Sequence, residues 1–240
     1  MKRLVQLVTA VALTLMSAVA AAEMSIGINI GTSSADQDDL NLLITRANTR
    51  EGGISTSSLG SALEVSGHWT YRFDGSMIAL QIRPSYFFVS EDGSQASTQA
   101  AYEYSVTGFT IFPIMRFYLL ENQFVKFFTQ VGVGWGFANG EIKEDSAKVE
   151  FSGNQMGNLV GLGAEFCFVS GNHCMTIEGN LRYLPFERMV VDSTSGTFDT
   201  AGTPASINTP VVGQEIEVDN RDLSATFSGI MGVVGYTFYF

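Results

Sequence analysis

Apolar and polar residues alternate along most of this chain, and helical periodicity is almost absent. In residues 63–73 the odd positions Leu63, Val65, Trp69, Tyr71 and Phe73 are apolar or aromatic, while Glu64, Ser66, His68, Thr70 and Arg72 are polar. Successive side chains of a strand point to opposite faces, so this strand has one greasy face and one wet face. Asp74-Gly75 then reads as a two-residue hairpin turn. A third strand follows, with Ile78, Leu80, Ile82, Pro84, Tyr86 and Phe88 against Ala79, Gln81, Arg83 and Ser85. The first strand is simpler: Met24, Ile26, Ile28 and Ile30 against Ser25, Gly27, Asn29 and Gly31.

The fifth strand sets Val125, Phe127, Val131, Val133, Trp135 and Phe137 against Lys126, Gln130 and the glycines 132, 134 and 136. The sixth sets Val160, Leu162, Phe166 and Phe168 against Gly161, Gly163, Glu165 and Cys167; the seventh sets Met175, Ile177, Leu181 and Tyr183 against Thr176, Glu178, Asn180 and Arg182. Ile230, Val234, Tyr236, Phe238 and Phe240 form one face of the eighth. Residues 109–119 are the weak member. They are apolar on both faces, and only Arg116 marks a wet side, so this fourth strand rests on position more than pattern. Connections alternate in length. They are tight at 74–75, 120–124 and 169–173, and long at 33–61, 90–101, 138–151 and 191–222.

A soluble sandwich also alternates, so other features decide the fold class. The strands approach the 9–11 residues that a tilted membrane-crossing strand needs. Aromatic residues gather near strand ends, as in the interfacial girdles of membrane barrels. After residue 22 no apolar run is long enough for a spanning helix, and only a closed barrel otherwise satisfies the backbone in lipid. The expected fold is all-β, an eight-stranded antiparallel up-and-down transmembrane barrel with short periplasmic turns and long extracellular loops.

Residues 1–22 read as a cleaved signal peptide: Lys2 and Arg3, an apolar run from Leu4 to Val19, then Ala20-Ala21-Ala22. Residues 23–240 then form the barrel, exported and placed in the outer membrane. The signal would remove two of the 13 basic side chains, leaving 11 against 24 acidic ones, a net charge of about −13. That balance excludes nucleic acid as a partner, because phosphate binding needs concentrated positive charge. No cofactor or metal is expected.

Strand parity turns Glu64, His68, Arg72, Arg83, Arg116, Lys126, Glu165, Glu178 and Arg182 inward. Both signs are present, so a paired, hydrogen-bonded plug is expected in a lumen only wide enough for its own side chains. Cys167 and Cys174, the two cysteines, fall on that same face across a short turn, where a disulfide forms in an oxidising compartment. His68 with Ser66 and Thr70 is the one candidate for lipid-modifying catalysis. All three face the lumen and not lipid, so no catalytic residue is expected. The loop acids, among them Asp36, Asp38, Asp39, Glu91, Asp92, Glu141, Glu144, Asp145, Glu215, Glu217 and Asp219, read as a solvated surface. Their spacing completes no calcium loop.

The terminal Gly235-Tyr236-Thr237-Phe238-Tyr239-Phe240 resembles the C-terminal insertion signal of outer-membrane barrels, departing from it at Val233, where a polar residue is usual. With Gly132-Val133-Gly134-Trp135-Gly136 and Leu181-Arg182-Tyr183, the whole mature chain is similar to the small OmpA/OmpX/OmpW-like outer-membrane barrels. The resemblance implies an eight-stranded meander with both ends in the periplasm. It also implies outer-membrane lipid, lipopolysaccharide and the barrel-assembly machinery as partners, the last through Gly235, Phe238 and Phe240. No wall-binding domain is expected after the barrel. The expected role is non-enzymatic, structural or surface-interactive through the loops, whose partner the sequence does not name. The rival readings are a narrow solute channel, a soluble periplasmic ligand-binding barrel and a lipid-modifying enzyme.

Overall fold

The computed structural model describes residues 22–35, 37–49, 54–95, 101–168, 172–198, 207, 209–218 and 221–240; the expected signal segment up to residue 21, Asp36 and Asp219 lie outside them. Eight strands close into a ring: β1 (Ala22–Ser34), β2 (Ser61–Phe73), β3 (Ile78–Ser94), β4 (Ala101–Glu121), β5 (Val125–Glu144), β6 (Ala147–Phe168), β7 (His173–Tyr183) and, last in the chain, β13 (Gly229–Tyr239). Each pairs antiparallel with its neighbours, and β13 closes on β1 with Ser25 opposite Tyr239 and Ser33 opposite Met231. Between β7 and β13 lie five short strands: β8 (Pro185–Phe186), β9 (Val190–Ser195), β10 (Glu217–Val218), β11 (Arg221–Asp222) and β12 (Ala225–Thr226). Both ends of the described chain and the turns at 74–77 and 122–124 share one end of the barrel, here the turn end.

The outward face carries an apolar belt. On β3 it runs from Ile78 through Leu80, Ile82 and Tyr86 to Phe88, all exposed. At about 3.3 Å per residue and a tilt near 40°, eleven residues span roughly 25 Å, the height of the apolar band of a membrane barrel. Above the belt the polarity of the strands inverts. On β4, Met115, Ile111 and Phe109 face out, but Thr107, Ser105 and Glu103 continue the same row; inside, Arg116 gives way to Val106, Tyr104 and Tyr102. On β5, Phe137 is followed outward by Asn139 and Glu141 while Ala138 and Ile142 are buried inside. The strand geometry is unchanged across this point; the surrounding solvent is what differs.

This inversion corrects the lengths read from sequence. β4 is a regular strand of 21 residues with strict in–out burial, and Phe112 and Ile114 blur its pattern because they pack inward against Leu159. The expected long loops at 90–101 and 138–151 are largely strand. β3 reaches Ser94, and β5 and β6 meet at a tight turn, Asp145-Ser146, where Asp145 adopts φ 55°. The four long strands rise as a palisade beyond the belt, whereas β7 and β13 have 11 residues each.

The palisade's apolar inner face is covered by the connections, which fold inward as a cap. An unforeseen helix, α1 (Asp38–Thr49), lies in the first connection. It buries Leu40, Leu43, Ile44 and Ala47, the i, i+3, i+4, i+7 spacing of one helical face, and Asp38 and Asp39 stand at its positive end. Three side-chain amides pin it by paired hydrogen bonds, each using both its donor and its acceptor: Gln37 to the Thr226 backbone, Asn41 to Leu59 and Asn48 to Thr56. Asp39 is mostly buried, accepting from the Ser224 amide (2.9 Å) and hydroxyl (2.7 Å), and Glu144 is buried accepting from Tyr104 Oη. Neither belongs to the solvated acidic surface expected. Phe87, Phe186 and Phe227 stack at the cap's centre, the Phe87 and Phe227 rings 4.1 Å apart. Gly108 makes this possible: a Cβ there would lie 2.2 Å from the Phe87 ring.

Candidate functional site: the filled lumen and its two ends

Every one of the nine residues read as lumenal has its side chain inside the ring, and together they form three tiers. The lowest closes the turn end. Arg72 donates to both oxygens of Glu121 (2.7 and 2.6 Å) and to Glu23 (3.2 Å), and Lys126 donates to Glu23 at 2.9 Å. The cations also lie over rings, Arg72 on Tyr118 and Lys126 on Tyr239. Glu23 and Glu121 were missed by the sequence reading because they lie beyond the alternating core of their strands. Extending the odd parity of β1 by one step, from Ser25 to Glu23, finds the first.

The middle tier is fully buried. Arg116 donates from Nη1 to Glu165 (3.0 Å), from Nη2 to Glu178 and from Nε to Gln130 (3.0 Å). Arg83 donates from Nη2 to the same Glu178 oxygen (2.7 Å) and to Gln81. The second oxygen of Glu178 accepts from Gln130 (2.9 Å) and Asn180 (3.2 Å). Two arginines face two glutamates, which meets the demand that a buried charge be paired. Nε and Nη1 of Arg83 have no acceptor among the described residues, where Glu178 is its one anionic partner. His68 sits over Gly27 and is hydrogen-bonded to Asn29 (3.1 Å) and Thr237 (3.3 Å). Ser66 and Thr70 share its lumenal side, and all three are turned from the outer surface.

The top tier joins barrel to cap. Arg182 pairs with Glu64, donates to Ser33 Oγ (3.1 Å), and donates from Nε to the Phe227 carbonyl (2.9 Å). One guanidinium thus ties three ring strands to the cap's aromatic centre.

Cys167 and Cys174 are directly opposed on β6 and β7, joined by a disulfide with Cα atoms 4.0 Å apart. The bond closes an already paired hairpin, so its contribution is modest, about 1–2 kcal/mol. Glu165 lies beside the two sulfurs, the one grouping among the described residues with metal-ligand composition. Bonded to each other, the sulfurs are not thiolates and offer a metal nothing comparable. At the seam of the ring, the Phe240 amide donates to the Met24 carbonyl (3.0 Å); Phe240 faces outward, and Gly235 lies inside where the Asn29 carboxamide crowds it.

No protein-family model and no curated protein matches the chain. Solved structures do. The outer membrane protein OprG from Pseudomonas aeruginosa superposes with a TM-score of 0.52 at 11% identity, covering 92% of this chain and 96% of that one. A major outer membrane protein from Thermus thermophilus gives 0.49 at 12% identity, covering 90% and 99%. At such identities the likeness is one of fold, and the OprG match agrees with the closed antiparallel ring. The chain has the fold of a small outer-membrane β-barrel.

Proposed function

We propose that the protein is an integral outer-membrane barrel, exported by an N-terminal signal, that catalyses nothing and acts through the cap it presents outside the cell. On this reading the turn end is periplasmic and the palisade extracellular. The belt faces outer-membrane lipid and lipopolysaccharide, and β13 is the strand that the barrel-assembly machinery engages. The observation that carries the proposal is the filled lumen. Three tiers of paired side chains occupy it from Glu23 to Arg182, and a buried apolar cluster, 29 of the described residues, covers its outer end. Such an interior supports a rigid pillar rather than an open channel. The one histidine considered for catalysis, His68, does not face an outer substrate, since it is enclosed by Asn29, Thr237 and Gly27.

The test is electrical. Folded protein inserted into a planar bilayer should give no discrete openings above the bare membrane. Reproducible single-channel steps would replace the pillar with a narrow channel. Recovery of the protein in the alkaline carbonate supernatant of cell membranes would remove the integral reading altogether.

A further inference from the structure

A second candidate site lies outside the ring, where the belt ends. β6 carries small residues there, Ser152 and Gly153, and Met189 packs against Gly153 from inside. On one side stand Phe137 and Asn139 of β5. On the other, β9 leaves the chain's cap and adds itself to the edge of β6, with Ser152 opposite Val190. Between these walls runs a cleft of about 520 Å³, within the range of small-ligand sites. By strand parity it opens sideways, toward the membrane, at the level where outward residues change from Phe137 and Met156 to Asn139 and Asn154.

Its chemistry is mixed in a definite way. Phe137 and Val190 supply exposed apolar surface. Asn139 and Asn154 offer amide donors and acceptors, Asp192 a carboxylate, and none of the three is engaged by another side chain among the described residues. Arg188 is three-quarters exposed and meets Glu215 only at 3.7 Å. Lys148, the other nearby cation, is held between Glu141 (3.1 Å) and Glu150 (2.7 Å), so it brings no free charge. Two carboxylates against one loosely held guanidinium disfavour an anionic phosphate. Neutral hydroxyls, which both donate and accept, match amides and carboxylates together.

From this placement and donor set we infer that the cleft binds the hydroxyl-rich saccharide headgroup of an outer-leaflet glycolipid, whose acyl chains lie down the belt below Phe137. The inference rests on the outer-membrane reading above. It gives β9 a purpose that sheet closure does not require: bringing Asp192 to the wall of the cleft that Asn139 also lines.

Native mass spectrometry of the full, folded protein in detergent, titrated with a neutral diglycosyl diacylglycerol and separately with phosphatidylglycerol, tests it. The double variant Asn139→Ala/Asn154→Ala should bind the neutral glycolipid at least 10-fold more weakly with phosphatidylglycerol binding unchanged. Ser152→Trp, which fills the cleft from an outward position, should do the same. Heat-modifiable gel migration checks that both variants fold. De-acylated saccharide binding as tightly as the intact glycolipid would support the same chemistry and move its source to a free sugar. Neutral glycolipid bound equally by wild type and both variants overturns the cleft. That result, in a protein still embedded in membranes, leaves the outer-membrane reading standing; a protein that fractionates as soluble defeats that reading instead.

Discussion

Glu178→Ala should lower the unfolding free energy by about 3–5 kcal/mol, the cost of breaking a buried ion pair by removing one partner. Glu178 is the one carboxylate that Arg83 reaches among the described residues, and it also takes a hydrogen bond from Arg116, Gln130 and Asn180. Its loss leaves a buried guanidinium on Arg83 bonded only to the Gln81 side chain, with Nε and Nη1 already without acceptors. Arg116 fares better because Glu165 remains at 3.0 Å. A pair of changes sharpens the expectation. Arg83→Met with Glu178→Leu removes both charges and keeps Arg116 neutralised, so it should cost less than Glu178→Ala alone. Reversible urea unfolding in lipid vesicles, followed through Trp69 and Trp135, both outward in the belt, measures all three proteins. A Glu178→Ala barrel within about 0.5 kcal/mol of wild type, far below the usual cost of orphaning a buried charge, would mean that water reaches this tier and that the plug is not dry.

Phe227→Ala should act on the cap and spare the barrel. The ring is fully buried against Phe87 and Phe186, and its carbonyl accepts from Arg182. Truncating a buried Phe costs about 3–5 kcal/mol. The cap is the smaller cooperative unit, so the loss appears there as local opening. An opening made about 3 kcal/mol cheaper is populated roughly 100-fold more, since about 1.4 kcal/mol is a factor of ten. Limited proteolysis of the variant in vesicles should therefore cut within residues 184–227 roughly 100-fold faster, while heat-modifiable migration of the barrel is unchanged. Equal protection in both proteins would show that the cap's order comes from elsewhere, with the amide pins of Gln37, Asn41 and Asn48 the next place to look.

The sequence carried the membrane half of the fold because one rule holds over most of it: apolar outward, polar inward. That rule placed Arg83, Arg116, Glu165 and Glu178 on one inner surface from parity alone. It failed where the solvent changes. Above Phe88, Phe109 and Phe137 the same strands continue with the rule reversed, and a reading that looks for outward apolar residues ends each strand there. β4 suffered most, because Phe112 and Ile114 put apolar residues on the lumen side inside the membrane level. The helix was legible in principle, from Leu40, Leu43, Ile44 and Ala47 behind Asp38-Asp39, but its single 12-residue face is brief beside so much alternation. Glu23 and Glu121 stood just past the last alternating residue. The cleft beside β9 was not legible at all: it depends on residues roughly 40 to 50 apart, such as Ser152 and Val190 or Asn139 and Asp192, meeting at a β6 edge left free by the short β7.

The central claim is that one surface of each long strand passes from lipid to water at a fixed residue. Nitroxide labels placed singly at Met115, Ile111, Phe109, Thr107, Ser105 and Glu103, all outward on β4, follow that surface directly in vesicle-inserted protein. Labels at positions 115, 111 and 109 should collide with oxygen and little with a water-soluble nickel chelate, and those at 107, 105 and 103 should do the reverse. Nickel accessibility that is uniformly high along the row, with no crossover, would contradict it.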